Sequence, residues 1–75
     1  MHEDTIRILS ELKVYKKSRI YIDFNKDGVF VDGIPIDSTL VLLEIIEHCN
    51  SFPVNILFKK DGVECFTYQY KEAFQ

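Results

Sequence analysis

The feature that most constrains this chain is that it repeats itself. Displacing the sequence by 34 positions, with no gap, sets 5–32 against 39–66. Eight of those 28 positions are identical: Thr5/Thr39, Leu9/Leu43, Ile22/Ile56, Phe24/Phe58, Lys26/Lys60, Asp27/Asp61, Gly28/Gly62 and Val29/Val63. Ile6/Leu40, Ile8/Leu42, Leu12/Ile46 and Ile20/Val54 are conservative exchanges. A fixed period of roughly 20 to 50 residues marks a repeated supersecondary unit. Two copies are too few for a solenoid, so they are expected to pack on each other. The whole of 1–75 then forms a single domain, with copies over 3–36 and 37–70.

Each copy reads as helix, strand, strand. In the first, Ile8, Leu9, Leu12 and Tyr15 recur at helical spacing, predicting a helix over 4–16 with Asp4 or Thr5 as its N-cap. Residues 19–24 alternate in the strand manner, 25–28 form a turn closed by Gly28, and 29–36 return, with Pro35 at an end or edge. In the second, Asp37 or Ser38 caps a helix running to about Asn50, which Pro53 prevents from continuing. Strands over 54–59 and 63–70 follow, joined by Lys60-Asp61-Gly62. The predicted class is α+β: a two-layer αββαββ sandwich whose four-stranded antiparallel sheet carries both helices on one face. Order 1-2-4-3, with the hairpins joined through their second strands about a pseudo-twofold, is preferred over 1-2-3-4.

Strand side chains alternate between faces. One face takes Ile20, Ile22, Phe24, Val29 and Val31, and their repeat equivalents Val54, Ile56, Phe58, Val63 and Cys65. It is apolar throughout and is expected beneath the helices. The other takes Tyr21, Asp23, Phe30, Asp32, Leu57, Glu64, Phe66, Tyr68 and Tyr70, mixing acids with aromatic rings. A two-layer fold has no third layer to cover it, and exposed aromatic patches mark interaction surfaces. Tyr21, Phe30, Leu57, Phe66, Tyr68 and Tyr70 are therefore the candidate interface. The competing reading is a β-bulge that turns Phe66 and Tyr68 toward the core. The second helix, apolar over Leu40–Leu43, Ile45, Ile46 and Cys49, is expected at the centre or against another chain.

Composition narrows the function classes. Twelve acids against nine bases give a net charge of −3, which argues against nucleic-acid binding. No apolar run approaches a membrane span, and the polar Met-His-Glu-Asp start is unlike a secretory signal. Cys49 and Cys65 lie in apolar patterns without metal spacing, and both are expected as buried, inert thiols. A cytoplasmic protein is expected.

Catalytic and metal motifs are weak. Asp23, Asn25, Asp27 and Gly28 match the opening of a calcium loop, but Ile34 stands where a bidentate carboxylate belongs. The second copy keeps Lys-Asp-Gly and replaces Asp23 and Asn25 with Leu57 and Lys59, so turn chemistry is what recurs. His48 and Cys49 are helix neighbours and diverge in direction, which disqualifies them as a nucleophile–base pair. His2 is expected to be disordered. Asp23, Asp32 and Glu64 share an open sheet face that offers no enclosure for acid–base work. No metal, cofactor or catalytic residue is assigned, and the chain is not expected to be an enzyme.

The expected function is a non-catalytic protein-interaction module, a homodimer or the partner of another protein. One alternative is an acidic inhibitor that occludes a basic site on another protein. The Lys-, Ile-, Asp- and Tyr-rich composition suits an AT-rich genome, and thus an accessory protein of a bacterium, phage or mobile element. A second alternative is a small-ligand-binding or enzymatic domain with its pocket between the copies.

Overall fold

A computed structural model describes residues 1–52 and 54–68. The element order is α1 (Glu3–Leu12), a 3-10 turn (Val14–Lys16), β1 (Arg19–Asn25), β2 (Gly28–Val31), β3 (Ile34–Ile36), α2 (Thr39–Ser51), β4 (Asn55–Lys60) and β5 (Val63–Tyr68). The class is α+β. Among the described residues, however, the sheet has five strands in the order β3-β2-β1-β4-β5, and it is mixed rather than antiparallel. Neither of the two predicted orders occurs.

The repeat copies meet through their first strands. β1 and β4 run parallel, Arg19 beside Asn55 and Ile20 beside Ile56, so paired residues are 36 positions apart where the sequence repeat is 34. A two-residue stagger preserves the faces, because side chains alternate with period two. The seam lies at the middle of the sheet. Ile20, Ile22, Val54 and Ile56 are almost wholly buried, and Leu57 on the opposite face is buried too.

The extra strand comes from a turn inside 29–36. Asp32 and Gly33 both have positive φ, 48° and 84°, as a two-residue type I′ hairpin requires, and they fold β3 back on β2. Asp61 and Gly62, at 51° and 78°, make the same turn between β4 and β5. The shared Lys-Asp-Gly tripeptide thus closes two different loops. In the first copy Gly28 already pairs with Asn25, whereas in the second Lys60 pairs with Val63.

The helices also depart from expectation. His2 is ordered as the N-cap of α1, its Nδ1 accepting the Asp4 N–H at 3.0 Å. α1 ends at Leu12, because Lys13 turns left-handed at φ 51° and hydrogen-bonds back to the Leu9 carbonyl. Val14 therefore takes the core position, and Tyr15 stands exposed. Ser38 caps α2, its Oγ accepting the Val41 N–H at 3.4 Å. Leu40 and Leu43 of α2 are exposed, so that helix is buried along one stripe only. One core joins Ile8 and Leu12 of α1, Val41, Ile45 and Cys49 of α2, and the sheet residues Ile20, Ile22, Val31, Ile36 and Ile56, placing both helices on one face. The repeat does not preserve helix orientation. Thr5 is fully buried, whereas its identical partner Thr39 is exposed.

Candidate functional site

The outer sheet face is built on β1. Asp32 stands beside Tyr21 across β2, and Leu57 beside it across β4, while Asp23 lies between Phe30 and Lys59. Tyr21, Phe30 and Leu57 therefore share this face, as the alternation predicts. Leu57 is only 7% exposed, so the accessible apolar surface is chiefly the rings of Tyr21 and Phe30. Cations are interleaved with them. Lys59 Nζ sits 4.6 Å from the Tyr21 ring centroid, and the Arg19 guanidinium 5.9 Å from it, with an N–H donated to the Tyr21 hydroxyl at 3.2 Å. Lys17 Nζ bonds Asp32 Oδ2 at 2.6 Å, and Asp32 Oδ1 accepts the Tyr21 amide at 2.8 Å. An open concavity of about 410 Å³ lies between Tyr21, Phe30, Asp23, Asp32 and Lys59.

The calcium-like segment is occupied by its own chain. Asp23 Oδ2 accepts a hydrogen bond from the Asn25 side-chain Nδ2 at 3.0 Å, and Asn25 Oδ1 accepts the Asp27 N–H at 2.8 Å. Asp23 Oδ1 accepts the Gly62 N–H at 3.1 Å, tying the two hairpin tips together. Among the described residues no group of three His, Cys, Asp or Glu is placed to hold a metal ion.

Phe66 and Tyr68 do not join the outer face. A register shift at Phe58/Lys59 leaves Cys65 as an extra residue of β5, and beyond it Phe66 pairs with Phe58 and Tyr68 with Ile56. Both are thereby turned to the helix side. They are not covered there: Phe66 is 62% exposed and Tyr68 45%. Val63, opposite Lys60 on the same side, is 68% exposed. Phe24, Phe58 and Phe66 line up across β1, β4 and β5, with centroids 6.4 Å and 4.6 Å apart and nearly parallel planes. The helices thus cover the early halves of β1 and β4, and an aromatic row emerges beyond them. Tyr70 lies outside the described residues.

The two thiols differ. Cys49 is buried in the core, and desolvation, helped by the Asp32 charge, pushes it up to about 11. Cys65 is exposed, as is every residue of β5, which the helices do not cover. His48 packs its ring 4.9 Å from that of Phe52. Where α1 meets α2, Glu44 Oε1 accepts the Thr5 hydroxyl at 2.7 Å and the His2 amide at 3.0 Å. These bonds, the Thr5 one first, hold the Glu44 carboxyl below its ordinary value.

No family model, curated protein or solved structure matches this chain. Among the described residues no helix is long and apolar enough to cross a membrane.

Phe24, Phe58 and Val63 were expected under the helices and stand partly or largely in solvent instead. A signal for this lies in β5, where the apolar spacing changes from two to one between Cys65 and Phe66, as a bulge requires. A second lies in length. A ten-residue helix spans about 15 Å and a seven-residue strand about 23 Å, so strand ends must protrude.

Proposed function

We propose that this chain is a small non-catalytic protein-interaction module that docks through β5 and the aromatic row beside it. The observation that carries the reading is that all six residues of β5 are exposed, with Val63, Phe66 and Tyr68 on one side. Among the described residues β5 is an edge strand, rich in β-formers, free of proline and charged only at Glu64. Such an edge is a template for another strand. The opposite edge, β3, is three residues long and carries an exposed Pro35, which blunts it.

The outer face offers less to a partner. Lys17, Arg19 and Lys59 balance Asp23, Asp32 and Glu64 there, which weakens the acidic-inhibitor reading. Its concavity has the volume of a ligand site, but it is open, and both aspartates already accept hydrogen bonds within the chain.

The test is the binding of a fluorescently labelled peptide with the β5 sequence, its cysteine replaced by serine, measured by anisotropy at nanomolar chain concentration. Binding is expected, with loss in Phe66→Lys and retention in the outer-face variant Phe30→Lys. Absence of binding, or loss in Phe30→Lys alone, counts against the edge.

A further inference from the structure

Resting on the reading of β5 as a docking edge, we infer that its occupant is β5 of a second copy, antiparallel about a twofold axis between Cys65 and Phe66. The argument is the in-and-out pattern of the strand. Val63 faces the helix side, Glu64 the outer side, Cys65 is the extra residue of the bulge, Phe66 faces the helix side, Thr67 the outer side and Tyr68 the helix side. On either side of its two central residues that pattern is a palindrome. A copy in this register sets Val63 against Tyr68 and Glu64 against Thr67, each pair on one face, with Cys65 and Phe66 opposed at the centre. A regularly alternating strand in the same register would set helix-side residues against outer ones. The bulge is what makes the strand self-complementary there.

Charge and covering agree with this register. Glu64, the strand's one charged residue, meets Thr67 and not its own equivalent, which avoids a like-charge pair. The exposed Phe66 rings of the two copies come beside each other at the axis, extending the row that begins at Phe24 and Phe58, and each exposed Tyr68 comes against Val63 of the other copy. A twofold pairing is closed, so it consumes both open edges and leaves the blunted β3 edges outermost.

Solution mass and crosslinking test the pairing together. Light scattering across a concentration series is expected to give twice the 8.8 kDa of one chain. Val63→Lys, or Tyr68→Lys should the first variant lose its circular dichroism, is expected to return it to one chain. Oxidation with copper phenanthroline is expected to trap a covalent dimer through the exposed Cys65, lost in Cys65→Ser. A dimer that survives both lysine variants, or yields no crosslink, overturns the inference. A monomer at every concentration also overturns it, and the β5 peptide then separates the two ideas: binding preserves the docking edge with a foreign strand, and no binding removes both.

Discussion

Phe58 and Phe66 stack at 4.6 Å across the β4–β5 pair, with 21° between their planes, directly beside a one-residue bulge at Cys65. The contact is possible only because the bulge exists. With strict alternation Phe66 would point to the other face, and Phe58 would have no aromatic partner on β5. The pair anchors the exposed end of the sheet, where helix cover has run out.

Replacing Phe66 with Ala should therefore cost about 1 kcal/mol from the lost ring pair. In a chain of this size that lowers Tm by roughly 4–8 °C. Phe66→Tyr keeps the stack and should leave Tm nearly unchanged. Thermal denaturation of the two variants at equal concentration decides the matter, and equal losses would mean the stack contributes nothing.

Asp32 joins three functions in one side chain. It holds a left-handed φ in the β2–β3 turn, accepts the Tyr21 amide and pairs with Lys17. Asp32→Ala should cost about 2 kcal/mol, since the amide loses its acceptor and the turn loses a residue tolerant of positive φ. Asp32→Asn keeps the φ preference and one acceptor, and should cost about half as much. Urea unfolding at neutral pH measures both.

The depressed carboxyl of Glu44 carries a pH dependence of definite sign. Folding lowers its pKa below the ordinary 4.5, chiefly through the Thr5 hydroxyl and then the His2 amide. The folded state then binds fewer protons, so the contribution is present above that ordinary value and is lost as pH falls through the lower folded value. Glu44→Gln should flatten this part of the acid limb. Tm measured from about pH 6 down to about pH 3 should converge for wild type and variant at the acid end.

The thiols should separate cleanly under a labelling reagent. Cys65 is exposed, whereas Cys49 is buried with its pKa raised to about 11. Native protein near pH 8 should titrate one fast thiol per chain, and the second should appear only in denaturant. Two fast thiols would show that α2 opens readily from the sheet.

Much of this architecture is legible in the residues. The repeat announces two helix–strand–strand units, Ser38 marks the start of α2, and the apolar alternation of Ile20, Ile22, Val54 and Ile56 marks the buried face. What escapes is set by backbone geometry rather than hydropathy. Asp32-Gly33 can sit within a continuous strand pattern or close a hairpin, and the choice depends on positive φ at both residues. Strand order escapes because either joining of the hairpins buries the same side chains. At the candidate site, Tyr21, Phe30 and Leu57 are placed correctly by alternation, while Phe66 and Tyr68 are displaced by the single residue that breaks it.

The parallel seam between β1 and β4 also bears on the order in which the molecule comes together. β1, β2 and β3 are consecutive hairpin partners, reachable through short loops. The contact that completes the sheet joins residues 36 positions apart, across β2, β3 and α2. Closing so long a loop is entropically unfavourable until the packing it permits is gained. The first copy on its own is a ribbon lacking its inner neighbour, with one side of Ile20 and Ile22 unsupported. The duplication thus supplies the first strand with the partner it needs, and the nascent chain has to wait for it.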